Sequence, residues 1–338
     1  MLERGLTLLG DGVDATQQWL FETVIQPLMF AFGLGNLLED AYGATLWLLA
    51  GAAQILVIAV VFGALQRWRP VEPVTDRAAV RVDLLYTLIH RLGLFRIALF
   101  FAIDPVWDEA FHLMRMAGLS SWQLDAAIAP WWPGVTDTAL AAFVAYLIVF
   151  DFVDYWVHRG QHGLRWWWGL HSLHHSQRQM TMWSDNRNHL LDDLLRDSLI
   201  VLVARGIGIA PGQFVAVIAC TQLLESLSHA NLRLGFGPVL ERVIVSPRFH
   251  RLHHSIGLGH ESRGSGTLGG HNFAVLFPVW DMIFRSANFD HRFDPTGIRD
   301  QLPGQGDRDY GRGFWAQQWL GLRRMVGRDR PPSAPIRP

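Results

Sequence analysis

The sequence predicts an all-α, integral-membrane helical bundle, and three observations lead there. Apolar runs of membrane-spanning length recur along the chain. No segment is rich in alternating, β-branched strand pattern. The histidines cluster at spacings that only a helix brings to one face. Composition agrees: 50% of the 338 residues are hydrophobic and 17% charged, against about 25% charged in an ordinary soluble domain.

The elements follow in order. Met1-Leu2-Glu3-Arg4 lacks the basic start and long apolar core of a cleaved signal, so the first membrane helix is expected to act as an uncleaved one. Trp19 to Leu37 is interrupted by Glu22 and Pro27 and is expected to span or to lie at the interface. Ala44 to Leu65 carries no charge and satisfies the requirement of about 20 apolar residues. Arg67 and Arg69 follow it and place that end in the cytoplasm by the positive-inside rule. Val82 to Ile103 reads as the next span, with His90, Arg91 and Arg96 turned to the bundle interior. Asp104 to Gly134 reads as an external loop with an interfacial element, its Trp107, Trp122 and Trp131-Trp132 suited to headgroup depth. Thr136 to Val157 returns and ends on His158. Leu194 to Leu227, broken by Gly206, Gly208 and Ala210-Pro211-Gly212, reads as a helical hairpin that enters the membrane and turns back. Phe273 to Phe284 is too short to span, and the chain after Gly304 looks weakly ordered. Three regions result: a transmembrane region over 1–135, a catalytic region over 136–290 and a tail over 291–338.

Net charge is −1, so no global field points to nucleic acid, and every basic side chain other than histidine is arginine. A single cysteine, Cys220, excludes an intrachain disulfide and a cysteine-ligated iron–sulfur cluster.

Nine of the fifteen histidines carry the chemistry. His158 and His162 are four apart. His171, His174 and His175 form H-S-L-H-H, and His250, His253 and His254 form H-R-L-H-H. His229 ends the hairpin, and the alternation of spans brings all four groups to one cytoplasmic face. Nine imidazoles exceed what one tetrahedral ion uses, which argues for two metal ions and for redox chemistry. Adjacent histidines diverge by about 100° around a helix, so His174 and His175 suit different ions, or one binds while the other orients. An all-nitrogen shell leaves two iron ions electron-poor, which favours an oxidant able to attack an unactivated C–H bond. The histidines supply ligation rather than acid–base catalysis. Asp154, one turn before His158, and Glu225, one turn before His229, are candidates as further ligands or as acceptors for the ligands' other N–H; so are His189 and His271 beside the clusters. Asp151, Asp185, Asp192 and Asp193 are further acceptor candidates. His90, His112, His260 and His291 read as ordinary hydrogen-bonded histidines.

From about Asp151 to Phe284 the sequence resembles the fatty acid hydroxylase / sterol desaturase superfamily of integral-membrane, non-haem di-iron enzymes. The resemblance rests on Asp154-Tyr155-Trp156-Val157-His158-Arg159, on His171-Ser172-Leu173-His174-His175 and on His250-Arg251-Leu252-His253-His254. His271-Asn272-Phe273, Trp280-Asp281 and Phe284 resemble the family's N-Y-G…W-D…F-G-T stretch, with Ala274 and Ser286 in place of its Gly and Thr. Glu225 stands where the family pairs a second histidine with the hairpin's His229. The resemblance implies a membrane bundle under a helical cytoplasmic cap that holds two iron ions, with zinc as a substitute in a purified sample. It also implies O2-dependent hydroxylation or desaturation of a lipid, and the reading adopted is hydroxylation of a membrane lipid, acyl or sterol-like, in a bacterial inner membrane. Electrons would come in trans from a ferredoxin or cytochrome with its reductase, since no haem-binding module is evident. The alternatives are a lipid desaturase at the same centre, a membrane zinc hydrolase, and a non-enzymatic metal-binding protein.

Overall fold

A computed structural model describes residues 2–118, 122–256 and 270–329. Among the described residues every regular element is helical, apart from one isolated antiparallel bridge between Ser255 and Thr296. α1 (Leu2–Leu20) continues through a π-helical turn, Phe21–Ile25, to Ala31. Among the described residues, α2 (Gly35–Trp68) is one of two helices long and apolar enough to cross a membrane.

The expected span from Val82 to Ile103 is not one helix. α3 (Arg77–Arg91) and α4 (Leu94–Ala102) are separated by Gly93, whose φ of 80° lies in the left-handed region that glycine enters without a steric penalty. The charges in this stretch do turn inward. Arg91 donates to Asp185 (2.7 Å), to the Gln222 carbonyl and to Ser226, His90 pairs with Asp193 at 3.2 Å, and Arg96 lies 3.4 Å over the Trp47 ring. The expected external loop is largely helical, with α5 (Asp104–Met116) and α6 (Leu124–Ile128).

α7 (Ala139–Gly163) is the second helix of spanning character. Leu140, Val144, Ile148, Phe152 and Trp156, each four apart, form an exposed apolar stripe. The opposite face buries Tyr146, Phe150, Asp151, Asp154, His158 and His162. A helix with oil on one side and ionisable groups on the other fits a wall between lipid and a protein interior. Leu164 turns extended, and α8 (Arg165–His175) folds back beside α7. α9 (Leu190–Gly206) and α10 (Pro211–His229) form the expected hairpin. They pack on α7 through Tyr146, Phe150, Ile200, Ala204 and Val217. Gln54 of α2 donates to the Ala219 carbonyl at 2.8 Å, tying α2 to α10.

α11 (Pro247–His253) starts at Ser246, whose hydroxyl accepts the Phe249 N–H, and at a proline that fits the first helical turn. α12 (Val279–Ile283) follows. The stretch after Gly304, expected to be weakly ordered, carries α13 (Phe314–Met325), which packs on α8. Gly169 permits that contact, since a Cβ there would lie 2.5 Å from the Met325 nitrogen.

Candidate metal centre

The histidines gather where four helices end. His162 lies in the last turn of α7, His174 and His175 in that of α8, and His229 in that of α10; His250 and His253 belong to α11, with His254 as its C-cap. A helix C-terminus carries partial negative charge and favours a cation nearby.

All nine predicted histidines come together, and all are buried. One group holds His158, His162, His171 and His175, and a second holds His174, His229, His250 and His254. Within each group the ligand atoms lie within 4.8 Å of one another. His175, His253 and His254 form a third set that links the two. Adjacent residues therefore part company, His175 to one group and His174 to the other, as the angular divergence along a helix requires. The Nε2 atoms of His162 and His175 are 3.1 Å apart, those of His174 and His229 3.1 Å, of His229 and His250 2.9 Å, and of His250 and His254 3.1 Å.

These nitrogens fit a metal better than one another. The His158 Nδ1–H donates to the Phe273 carbonyl (2.8 Å), that of His229 to the Glu225 carbonyl (2.8 Å), and that of His253 to the His271 carbonyl (2.6 Å). A carbonyl only accepts, so the proton sits on Nδ1 and the lone pair on Nε2. His229 Nε2 has one lone pair yet faces two imidazole nitrogens. Among the described residues, His158 Nε2 and His171 Nε2 are buried without a hydrogen-bond partner. Orphaned buried acceptors cost free energy. A cation at the Nε2 side satisfies several at once, and ligands about 2.1 Å from an ion lie about 3 Å apart along a shell edge. Burial, reinforced by neighbouring histidines, pushes His174, His250 and His253 well below the usual histidine value, which holds them in the neutral, ligating form.

A second layer holds these rings. Asp192 accepts from His171 Nδ1 (3.1 Å), Gln161 Nε2 (2.7 Å) and Trp167 Nε1 (2.6 Å). Asp281 accepts the Phe273 and Ala274 N–H groups and the Ser286 hydroxyl. Asp151 accepts the Leu276 and Phe277 N–H groups and the Trp280 indole. Together they fix the segment whose Phe273 carbonyl orients His158. The sequence marks the two aspartates, but nothing in it marks a backbone carbonyl as an orienting group.

The four further candidates fall differently. Asp154 forms a two-pronged pair with Arg196 (2.8 and 3.0 Å), and no hydrogen bond joins its carboxylate to His158. The Glu225 carboxylate lies 3.6 Å from the same arginine, while its carbonyl orients His229. His189 is engaged at both ring nitrogens, donating from Nε2 to the Gln318 carbonyl and accepting the Leu191 N–H, so it caps α9. His271 contributes its carbonyl, and its ring is absent from the histidine groups. Arg196, which sequence reasoning passed over, lines with Asp154, Glu225 and the histidines a polar cavity of about 60 Å³. His291 meets Arg248, and His260 lies outside the described residues.

Residues 143–286 match the fatty acid hydroxylase family model. The chain is 28% identical over 167 residues to the ornithine lipid hydroxylase OlsE of Rhizobium tropici, covering 49% of this chain and 47% of the relative. It is 27% identical over 179 residues to the alkylglycerol monooxygenase of Danio rerio, covering 53% and 33%. The Caenorhabditis elegans alkylglycerol monooxygenase is 26% identical over 145 residues, covering 43% and 26%. The chain thus spans half or less of the length of these relatives. No solved structure matches it.

Proposed function

We propose that this chain, whose residues 143–286 match the fatty acid hydroxylase family model, hydroxylates a membrane lipid with O2 at a non-haem di-iron centre. The observation that carries this is the division of nine buried histidines into two adjoining groups that share adjacent residue pairs. His158, His162, His171, His175 and His253 would hold one iron, and His174, His229, His250 and His254 the other. When bound, the pair supplies reductive activation of O2, one oxygen atom entering a C–H bond and the other leaving as water with two electrons and two protons.

The chain's own residues do the rest. The Phe273, Glu225 and His271 carbonyls and the Asp192 carboxylate hold the ring protons on Nδ1, so that Nε2 points inward. The buried wall around the histidines limits water. The exposed stripe of α7 offers the lipid chain an apolar approach that ends at Trp156, two residues before His158 on the opposite face of the helix. The lipid character of the substrate rests on that stripe and on the lipid-oxidising relatives. The electrons come from a separate redox protein. The setting proposed is a bacterial inner membrane crossed several times, with the histidines on the cytoplasmic side, because Arg67 and Arg69 close the span of α2.

The test is lipid profiling of a host with and without the chain, grown under isotopically labelled dioxygen. A lipid heavier by one labelled oxygen atom, absent without the chain, supports hydroxylation. A product lighter by two hydrogens would replace it with desaturation, and a product formed without O2 would refute both.

A further inference from the structure

A second concavity, of about 720 Å³, opens beside the end of α2 and is lined by Gln66, Arg67, Glu72, Arg77, Arg81 and Asn231, among others. Arg67, Arg77 and Arg81 are exposed. The acids nearby are already spent. Glu72 accepts from Arg251 at 2.9 Å, and Asp76 caps α3 by accepting the Ala79 N–H. Three guanidinium groups are thereby left with no carboxylate of their own among the described residues. On a chain of net charge −1, this is a local positive field.

The pocket is also built. Asn231 accepts the Val71 and Glu72 N–H groups and donates to the Glu72 carbonyl (2.6 Å). Arg233 donates to the Arg69 and Val71 carbonyls, and Gln179 accepts the Thr75 and Asp76 N–H groups. These clamps tie the pocket to the histidines. Asn231 is two residues from His229, and Arg251 lies between His250 and His253 on α11. Two hydrogen-bonded routes thus run from the pocket wall to the segments that carry the second histidine group.

We infer that this basic pocket is the docking site of the electron donor, an acidic one-electron carrier protein. The inference rests on the proposed oxygenase function. Each docked carrier would be oxidised by one electron, which it would pass toward the histidine groups. Two dockings supply the two electrons that, with two protons and O2, end in the hydroxylated lipid and water. Charge complementarity favours an acidic partner and makes the encounter dependent on salt. The hydrogen-bonded routes favour a redox partner over a lipid headgroup, which would gain nothing from them.

The experiment uses the full chain, iron-loaded, in nanodiscs of neutral phosphatidylcholine, with an acidic [2Fe–2S] ferredoxin as probe. Binding to the wild type is expected to weaken steeply with salt. Combining Arg67→Glu, Arg77→Glu and Arg81→Glu is expected to weaken it by about tenfold or more and to flatten the salt dependence. The triple Arg→Lys variant should keep binding, which controls for folding. Product formation driven by dithionite should be equal in all three proteins. Absence of ferredoxin binding to the wild type, or unchanged binding in the Glu variant, overturns the inference. So does a variant that loses only its preference for anionic phosphatidylglycerol nanodiscs, which would give the pocket to lipid headgroups. Carrier binding needs no turnover, so wild-type protein that binds ferredoxin yet makes no product with dithionite counts against the proposed function alone.

Discussion

Replacing Asp192 by asparagine should weaken one metal position and leave the other unchanged. The Asp192 carboxylate is 1% exposed and accepts three hydrogen bonds, from His171, Gln161 and Trp167. Asparagine keeps the shape but turns one acceptor oxygen into a donor NH2. At least one of the three N–H groups then faces a donor and loses its partner. A hydrogen bond to a charged group contributes about 1.5–3 kcal/mol, and loss of a partner that orients a ligand costs about 10–100-fold in metal affinity. The two scales agree, since tenfold is about 1.4 kcal/mol. His171 belongs to only one of the four-histidine groups, so the loss should be confined to that position. Competition against a graded series of chelators, read as iron per chain, should show one ion leaving early and one leaving as in the wild type. Two ions that leave together at wild-type affinity would refute the reasoning, because Asp192 would then have no hold on His171 that a metal feels.

Gly169→Ala should drive α13 off α8, since the new Cβ would lie 2.5–2.6 Å from Met325 backbone atoms; limited proteolysis should then cut within Phe314–Met325 in the variant and spare the wild type. Asp281→Ala leaves the buried Phe273 and Ala274 N–H groups without their acceptor, at about 1–3 kcal/mol per buried group, and should lower Tm; an unchanged Tm would mean the segment holds its shape without it. For pH, burial depresses His174, His250 and His253 below the ordinary value of 6.5. The folded protein therefore binds fewer protons than the unfolded one, so this stability is present above about pH 6.5 and lost as pH falls below it. Tm of the metal-free protein should decline from about pH 7 to about pH 5, and a flat profile would contradict neutral histidines in the folded state.

The histidine site was legible because its signal is local. Spacings of three and four residues put His171, His174 and His175 on one helix whatever the helix packs against, and the Gly/Pro break at 206–212 marks the hairpin that returns His229. The rest depends on tertiary partners. Gly93 ends α3 inside an apolar run whose length alone read as one span. α13 is secured by Gln318, whose side chain reaches Leu190 N and the Tyr86 hydroxyl from 128 and 232 residues away. The pairing of Asp154 with Arg196 redirects a carboxylate that sits at the right helical spacing for His158. The carbonyls that orient His158, His229 and His253 belong to Phe273, Glu225 and His271, and a carbonyl carries no residue-type signature.

Nine histidines in two groups imply two metal positions, one per group. The iron-to-chain ratio of protein reconstituted without oxygen tests it most directly, measured for the wild type, for His162→Ala and for His250→Ala. Two irons are expected in the wild type and one in each variant, with the two variants losing different ions. A single iron in the wild type, or either variant keeping two at wild-type affinity, would contradict it.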